Sequence, residues 1–203
     1  MDVAILPLAL TVMLGPQILV AMLLVTREDA VSSSLVYVSA VGITLLTTTY
    51  VYYRLAQATD LHTLAVGNRP SFRYVLILLF IYLIGRSILN RKQITEPPKW
   101  MQGITKASYG KIFALGCALI AFMPTDIAVS FSVGSLLHSQ DLIFWKILPF
   151  LGVVMIIAAL PLLFFLALGS RGPQYLQQVN QWLNTHGYLI NVILFSYFIF
   201  LLV

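Results

Sequence analysis

The sequence predicts an all-α, polytopic membrane protein: six transmembrane helices arranged as two inverted three-helix repeats, with two short interfacial helices. Three observations carry that expectation. Of the 203 residues, 60% are hydrophobic and 9% are charged, where soluble domains hold roughly 45–50% and 25%. The charged residues are gathered between long uncharged runs. The order of those runs, one broken by proline, a second, an amphipathic linker and a shorter one, occurs twice.

The same composition excludes several classes. No segment is polar enough to form a separate water-soluble domain, so residues 1–203 are read as a single integral membrane domain. Its parts are a first repeat over 1–89, a basic loop over 90–110 and a second repeat over 111–203. The single cysteine, Cys117, rules out an internal disulfide, argues against a dithiol redox carrier, and reads as a small packing residue. A formal charge of +5 could suggest nucleic acid as a partner. The cations flank the spans, however, where topology and anionic headgroups explain them, and no nucleic-acid motif is present. The expected partners are therefore membrane lipids and a small solute or lipid-linked substrate. A homodimer or a partner in a membrane complex is left open.

Val3 to Val25 is uncharged and long enough to cross about 30 Å of hydrocarbon at 1.5 Å per residue. It follows Met1-Asp2 without a cationic leader or cleavage site, so it is expected to be a retained first span. Gly15-Pro16-Gln17 punctuates its middle, and Thr26-Arg27-Glu28-Asp29 ends it. The second span, Val31 to Tyr53, carries many hydroxyls, suited to bonds along or between helices, and ends in Tyr50, Tyr52 and Tyr53 at a membrane boundary. Arg54 to Ser71 mixes polar and apolar residues as an interfacial helix would. Phe72 to Leu89 is the third span. The basic stretch from Arg86 to Lys111 follows, interrupted by Pro97-Pro98 and anchored by Trp100.

Ile112 to Leu137 is the fourth span and the one on which the functional reading turns. At its centre stands Phe122-Met123-Pro124-Thr125-Asp126. A carboxylate at that depth costs roughly 2.5–3.5 kcal/mol on insertion scales, and proline removes a backbone hydrogen bond. Together they predict a discontinuous helix whose freed backbone lines a cavity. The plainer reading is a packing kink with a carboxyl bonded to a neighbouring helix. A polar turn over 138–146, a fifth span from Ile147 to Leu168 containing Pro161, a glutamine-rich interfacial helix over 169–185 and a sixth span over 187–203 complete the chain.

Aligning Pro16 on Pro124 lays the second span near the fifth and the third near the sixth. Three spans per copy is odd, so the copies must be inverted, and Pro16 and Pro124 become expected neighbours about a pseudo-two-fold axis. Orientation follows from the cations. Arg27, Arg86, Arg91, Lys92, Lys99, Lys106, Lys111 and Arg171 lie on one side, against Arg54, Arg69, Arg73 and Lys146 on the other. The excess places the basic loop in the cytoplasm and both termini outside.

Leu14-Gly15-Pro16, the loop ending Pro97-Pro98-Lys99-Trp100-Met101, and Ala114-Leu115-Gly116 leading to Met123-Pro124-Thr125-Asp126 together resemble the lysine exporter superfamily. Within it, the sequence is similar to the peptidoglycolipid-addressing and sulfolipid-addressing proteins. The resemblance implies a six-helix protein of the prokaryotic inner membrane that exports small solutes or helps move glycolipids outward. Many relatives carry Asn-Pro-Lys in the second motif. Here Thr125 stands where they have lysine, so no cation is expected at that position.

The substrate or ion pathway is accordingly expected at Gly15, Pro16, Gln17, Pro124, Thr125 and Asp126. Exposed carbonyls and helix ends would supply dipoles there, Gln17 and Thr125 neutral hydrogen bonds, and Asp126 a group able to exchange a proton during alternating access. His62, His138 and His186 fall in separate polar turns, and neither a metal-ligand pattern nor a phosphate-cradling glycine loop appears, so no cofactor is expected. The serines of the second span have no catalytic partners within helical reach, which argues against an enzyme. The competing class is an accessory subunit that positions lipids or partner proteins, with Asp126 as a buried packing contact.

Overall fold

A computed structural model describes residues 6–13, 16–59 and 103–168, with scattered helical positions between 78 and 89 and between 189 and 199. Regular structure among the described residues is helical throughout: α1 (Leu6–Met13), α2 (Pro16–Leu24), α3 (Ala30–Thr59), α4 (Tyr109–Phe122), α5 (Pro124–Ser139) and α6 (Leu148–Leu168). Single 3-10 turns, Ile104–Lys106 and Phe144–Ile147, lead into α4 and α6. The chain is a membrane protein. Ala30–Ala58 and Phe144–Leu168 are each long and apolar enough to cross a bilayer, and the bent pair of α4 and α5 adds a third crossing if counted as one span. Gly15, the interfacial stretches beyond residue 59 and most of the third and sixth spans lie outside the described residues.

Three boundaries differ from expectation for one reason. α3 runs through Thr59 instead of ending at Tyr53, absorbing the start of the expected interfacial helix. Similarly, α4 begins at Tyr109 and takes in Lys111, while α5 carries His138 in its last turn. A charged residue ends a hydropathy run but does not stop the backbone ladder, which needs a breaker or a cap. The thirty residues of α3 reach about 45 Å, so the helix projects beyond the hydrocarbon.

Contacts along α3 set the directions of α2, α4, α5 and α6. Gly116, on α4, lies against Tyr37 and Ala40. Ser130 and Gly134, on α5, lie against Thr48 and against Thr49 to Tyr53. Tyr53 donates to the Leu142 carbonyl beyond α5. α4 and α5 therefore climb parallel to α3 from one face of the protein to the other. α6 descends: Phe144 packs on Tyr50 and Tyr53, Met155 on Gly42, and Leu162 on Val25. α2 also descends, from Gln17 beside Tyr37 to the turn that opens α3. The three expected boundary tyrosines are part of this packing, since Tyr52 also meets Phe131 edge-on and Tyr53 meets His138.

Hydroxyls and small residues make these approaches possible. Thr47 and Thr48 bond back to the carbonyls of Ile43 and Thr44, and Thr48 reaches Ser130 on α5 at 3.2 Å. A Cβ on Gly134 would stand 2.8 Å from the Tyr53 backbone nitrogen. Such close contact is how helices associate where lipid removes the hydrophobic drive. Leu35, Ile43 and Val51 on α3, and Leu148, Ile156 and Phe164 on α6, are exposed, as lipid-facing residues are.

α5 ends in a Schellman motif. The Leu142 N–H bonds to the Leu137 carbonyl at 2.9 Å and the Asp141 N–H to that of His138 at 3.0 Å. Asp141 takes the left-handed position usually held by glycine, with φ of 51°.

Candidate functional site

The site begins with two helix breaks. Met123 precedes a proline and is therefore pushed out of the α region; its ψ is 126°. Its N–H closes the last turn of α4 on Leu119, and its carbonyl accepts from the Asp126 and Ile127 N–H groups. One residue thus caps both helices, and Pro124 takes the first position of α5, where its missing N–H costs nothing. The two segments meet at 68°. Pro16 likewise opens α2, separated from α1 by two residues.

The breaks converge. Gln17, in the first turn of α2, donates from Nε2 to Asp126 Oδ2 at 2.6 Å, and both side chains are buried, 1% and 0% exposed. Because α2 descends and α5 climbs, their N-termini point at each other. Each helix N-terminus carries partial positive charge, and the Asp126 carboxyl lies between them as the internal counter-charge. Tyr37, fully buried on α3, donates its hydroxyl to the Gln17 carbonyl at 3.0 Å. Gly116 lets α4 lie close against this part of α3: a Cβ there would stand 2.8 Å from the Ala40 Cβ and 3.2 Å from the Tyr37 ring. Gln17 Oε1 and Asp126 Oδ1 remain without a hydrogen-bond partner. Two buried acceptors left open beside a carboxyl invite a donor, whether a proton, a water or a ligand hydroxyl.

Of the residues the sequence singled out, Gln17 and Asp126 are brought into contact. Pro16 is half-buried beside them, Pro124 and Thr125 are exposed, and Gly15 lies outside the described residues. Phe122, next to the break, is 79% exposed. The junction is thus sealed on its inner side and open to the surface one residue away. Among the described residues no group of three or more metal-ligating side chains stands together.

A second polar assembly closes the face toward which α2 descends. Arg27 bonds Asp29 through Nε at 2.7 Å and through a terminal nitrogen at 3.1 Å. Its other terminal nitrogen donates to the carbonyls of Ile104, Thr105 and Ala107 at 2.8, 3.0 and 3.0 Å. These hydrogen bonds from Arg27, with help from Tyr109, hold the Asp29 carboxyl well below the usual carboxylate range. Asp29 in turn raises the Arg27 guanidinium. Neither Tyr37 nor the role of Arg27 was visible in the sequence. Gly116 enters the sequence reading only within Ala114-Leu115-Gly116, one of the motifs that carry the family resemblance, and nothing local marks Arg27 as a partner for residues some eighty positions away.

A protein-family profile described as Sap, sulfolipid-1-addressing protein, matches residues 5–203. The chain belongs to that family. No curated protein and no solved structure matches it. In this Sap-family chain the matched region contains both broken helices, the Gln17–Asp126 contact and the Arg27 assembly, so the site is part of the family domain itself.

Proposed function

We propose that this protein moves an anionic, lipid-linked molecule across the membrane by alternating access, with the Gln17–Asp126 junction as the site that binds proton and passenger together. The observation that carries this reading is the head-to-head meeting of two helix N-termini on one buried carboxyl. When Asp126 takes a proton, the positive ends of α2 and α5 lose their counter-charge, and an anionic headgroup becomes the favoured occupant. When the proton leaves, the headgroup is expelled. Proton and passenger are thereby coupled without a further cation at Thr125.

Two features favour a lipid-linked passenger over a free solute. Pro124, Thr125 and Phe122 put the junction beside the outer flank, where a headgroup could enter sideways while its chains stay in lipid. The family description speaks of a sulfolipid, whose headgroup is anionic. The proposal includes six spans in two inverted repeats, which the opposite directions of α2 and α5 favour, and export from the cytoplasmic side with the proton leaving alongside the passenger and both termini outside. A non-catalytic role is part of it.

The accessory reading is favoured by one feature, the complete burial of Gln17 and Asp126. Proteoliposomes carrying a fluorophore-labelled sulfated glycolipid, scored by quencher accessibility with and without a pH gradient, separate the two. Gradient-dependent movement that Asp126→Asn uncouples is expected. No movement by the wild type, or movement whose gradient dependence survives in Asp126→Asn, would sink the proposal.

A further inference from the structure

We infer that Arg27 is the latch that shuts one mouth of the Gln17–Asp126 site, and that opening toward that face requires its guanidinium to leave the carbonyls of Ile104, Thr105 and Ala107. This rests on the alternating-access reading and adds the gate that such a cycle needs. Arg27 follows α2, and its acceptors precede α4. The contact therefore ties the two broken helices together at the face where α2 ends and α4 starts. A small displacement of that one group would undo the contact, since one terminal nitrogen carries all three carbonyl bonds.

The region behind the latch has the composition of a water path held dry. Ser33 and Ser34 lie on α3 between the Arg27 turn and Tyr37 and are 0% and 4% exposed; the Ser33 hydroxyl stands by the Asp29 carboxylate, and the Ser34 hydroxyl has no partner. The distance along α3 from Ala30 to Tyr37 is about 10 Å. Buried hydroxyls without partners are uncommon in finished cores. Along a path from the latch to the carboxyl they become sites for water once the mouth opens. Asp29, held ionised by Arg27, does not release the latch at ordinary pH. Release must come from movement of the segment before α4.

The test is thiol accessibility. Cys117→Ser removes the single cysteine, and Ser34→Cys reports behind the latch. Ser135→Cys on α5, buried near the opposite face, serves as control. A membrane-impermeant maleimide is applied to vesicles of each orientation. Arg27→Gln should speed labelling of Ser34→Cys from the latch face by roughly tenfold, since it loses the charge-assisted bonds, and Arg27→Lys by less. Labelling of Ser135→Cys should not change. An unchanged rate at Ser34→Cys overturns the latch, and equal acceleration at both positions overturns it too, as general loosening. The assay needs no transport. A latch that fails while Asp126→Asn uncouples lipid movement leaves the carrier reading intact, and the reverse result leaves only the latch.

Discussion

Gly134→Ala is the sharpest probe of how α3 and α5 are joined. The added Cβ would meet the Tyr53 nitrogen at 2.8 Å, the Thr49 carbonyl oxygen at 3.0 Å and the Tyr52 carbonyl carbon at 3.2 Å. All three are backbone atoms, so no side chain can turn aside. Ordinary contact lies near 3.5 Å, and the helices must part by about 0.7 Å. That displacement also strains the Thr48–Ser130 contact, already 3.2 Å long. Overpacking of this kind costs about 1–3 kcal/mol, set against about 0.5–1 kcal/mol gained from replacing a helical glycine. Gly152→Ala on α6 isolates the first effect, because a Cβ there meets nothing within 4 Å. The propensity gain is common to both, so the difference between the two variants is the cost of contact, about 1–3 kcal/mol. Unfolding in mixed detergent–SDS micelles measures it. Variants equal within about 0.5 kcal/mol would refute the close backbone approach.

Further outcomes follow from the same contacts. Gln17→Leu should destabilise by about 1–3 kcal/mol in the same assay by leaving Asp126 buried without its donor, and Gln17→Leu with Asp126→Leu should recover part of the loss; additive effects would show the pair to be uncoupled. Tyr37→Phe removes the bond to the Gln17 carbonyl and should cost about 0.5–1.5 kcal/mol, while no loss would mean the hydroxyl is satisfied elsewhere. Asp141→Gly relieves a left-handed residue in the Schellman turn and should stabilise by up to about 1 kcal/mol; destabilisation would contradict the turn. Because the folded-state pKa of Asp29 is depressed, its pairing with Arg27 holds above the ordinary carboxylate range and is lost only as pH falls through the folded value. The labelling rate of Ser34→Cys divided by that of Ser135→Cys at the same pH, which removes the common rise in thiolate, should therefore be flat between about pH 5 and 8, and a rise in that ratio within the window would contradict the pairing.

The sequence carried the parts of this fold that depend on local chemistry. Pro16 and Pro124 marked both breaks because proline constrains its own φ and the residue before it, and Asp126 was conspicuous because an ionisable group in an apolar run is rare. The hydroxyls of Thr47, Thr48 and Ser130 were legible as bonding groups, though not their pairing. Boundaries at Tyr53 and Ile112 were misplaced because hydropathy marks where lipid ends, not where a helix does. Tyr37 could not be foreseen. Its role depends on the Gln17 carbonyl it bonds and on the close approach of α4 at Gly116, relations between residues far apart in sequence. The Arg27 clamp was hidden for the same reason: its acceptors are carbonyls, and any residue would supply them.

The most direct measurement is infrared difference spectroscopy of the reconstituted protein on adding a sulfated glycolipid, in the wild type and in Asp126→Asn. The account predicts that a protonated-carboxyl band appears as the anionic headgroup binds, and that Asp126→Asn lacks it. Lipid binding with no such band, or the same band in Asp126→Asn, would contradict the joint binding of proton and passenger at the meeting point of α2 and α5.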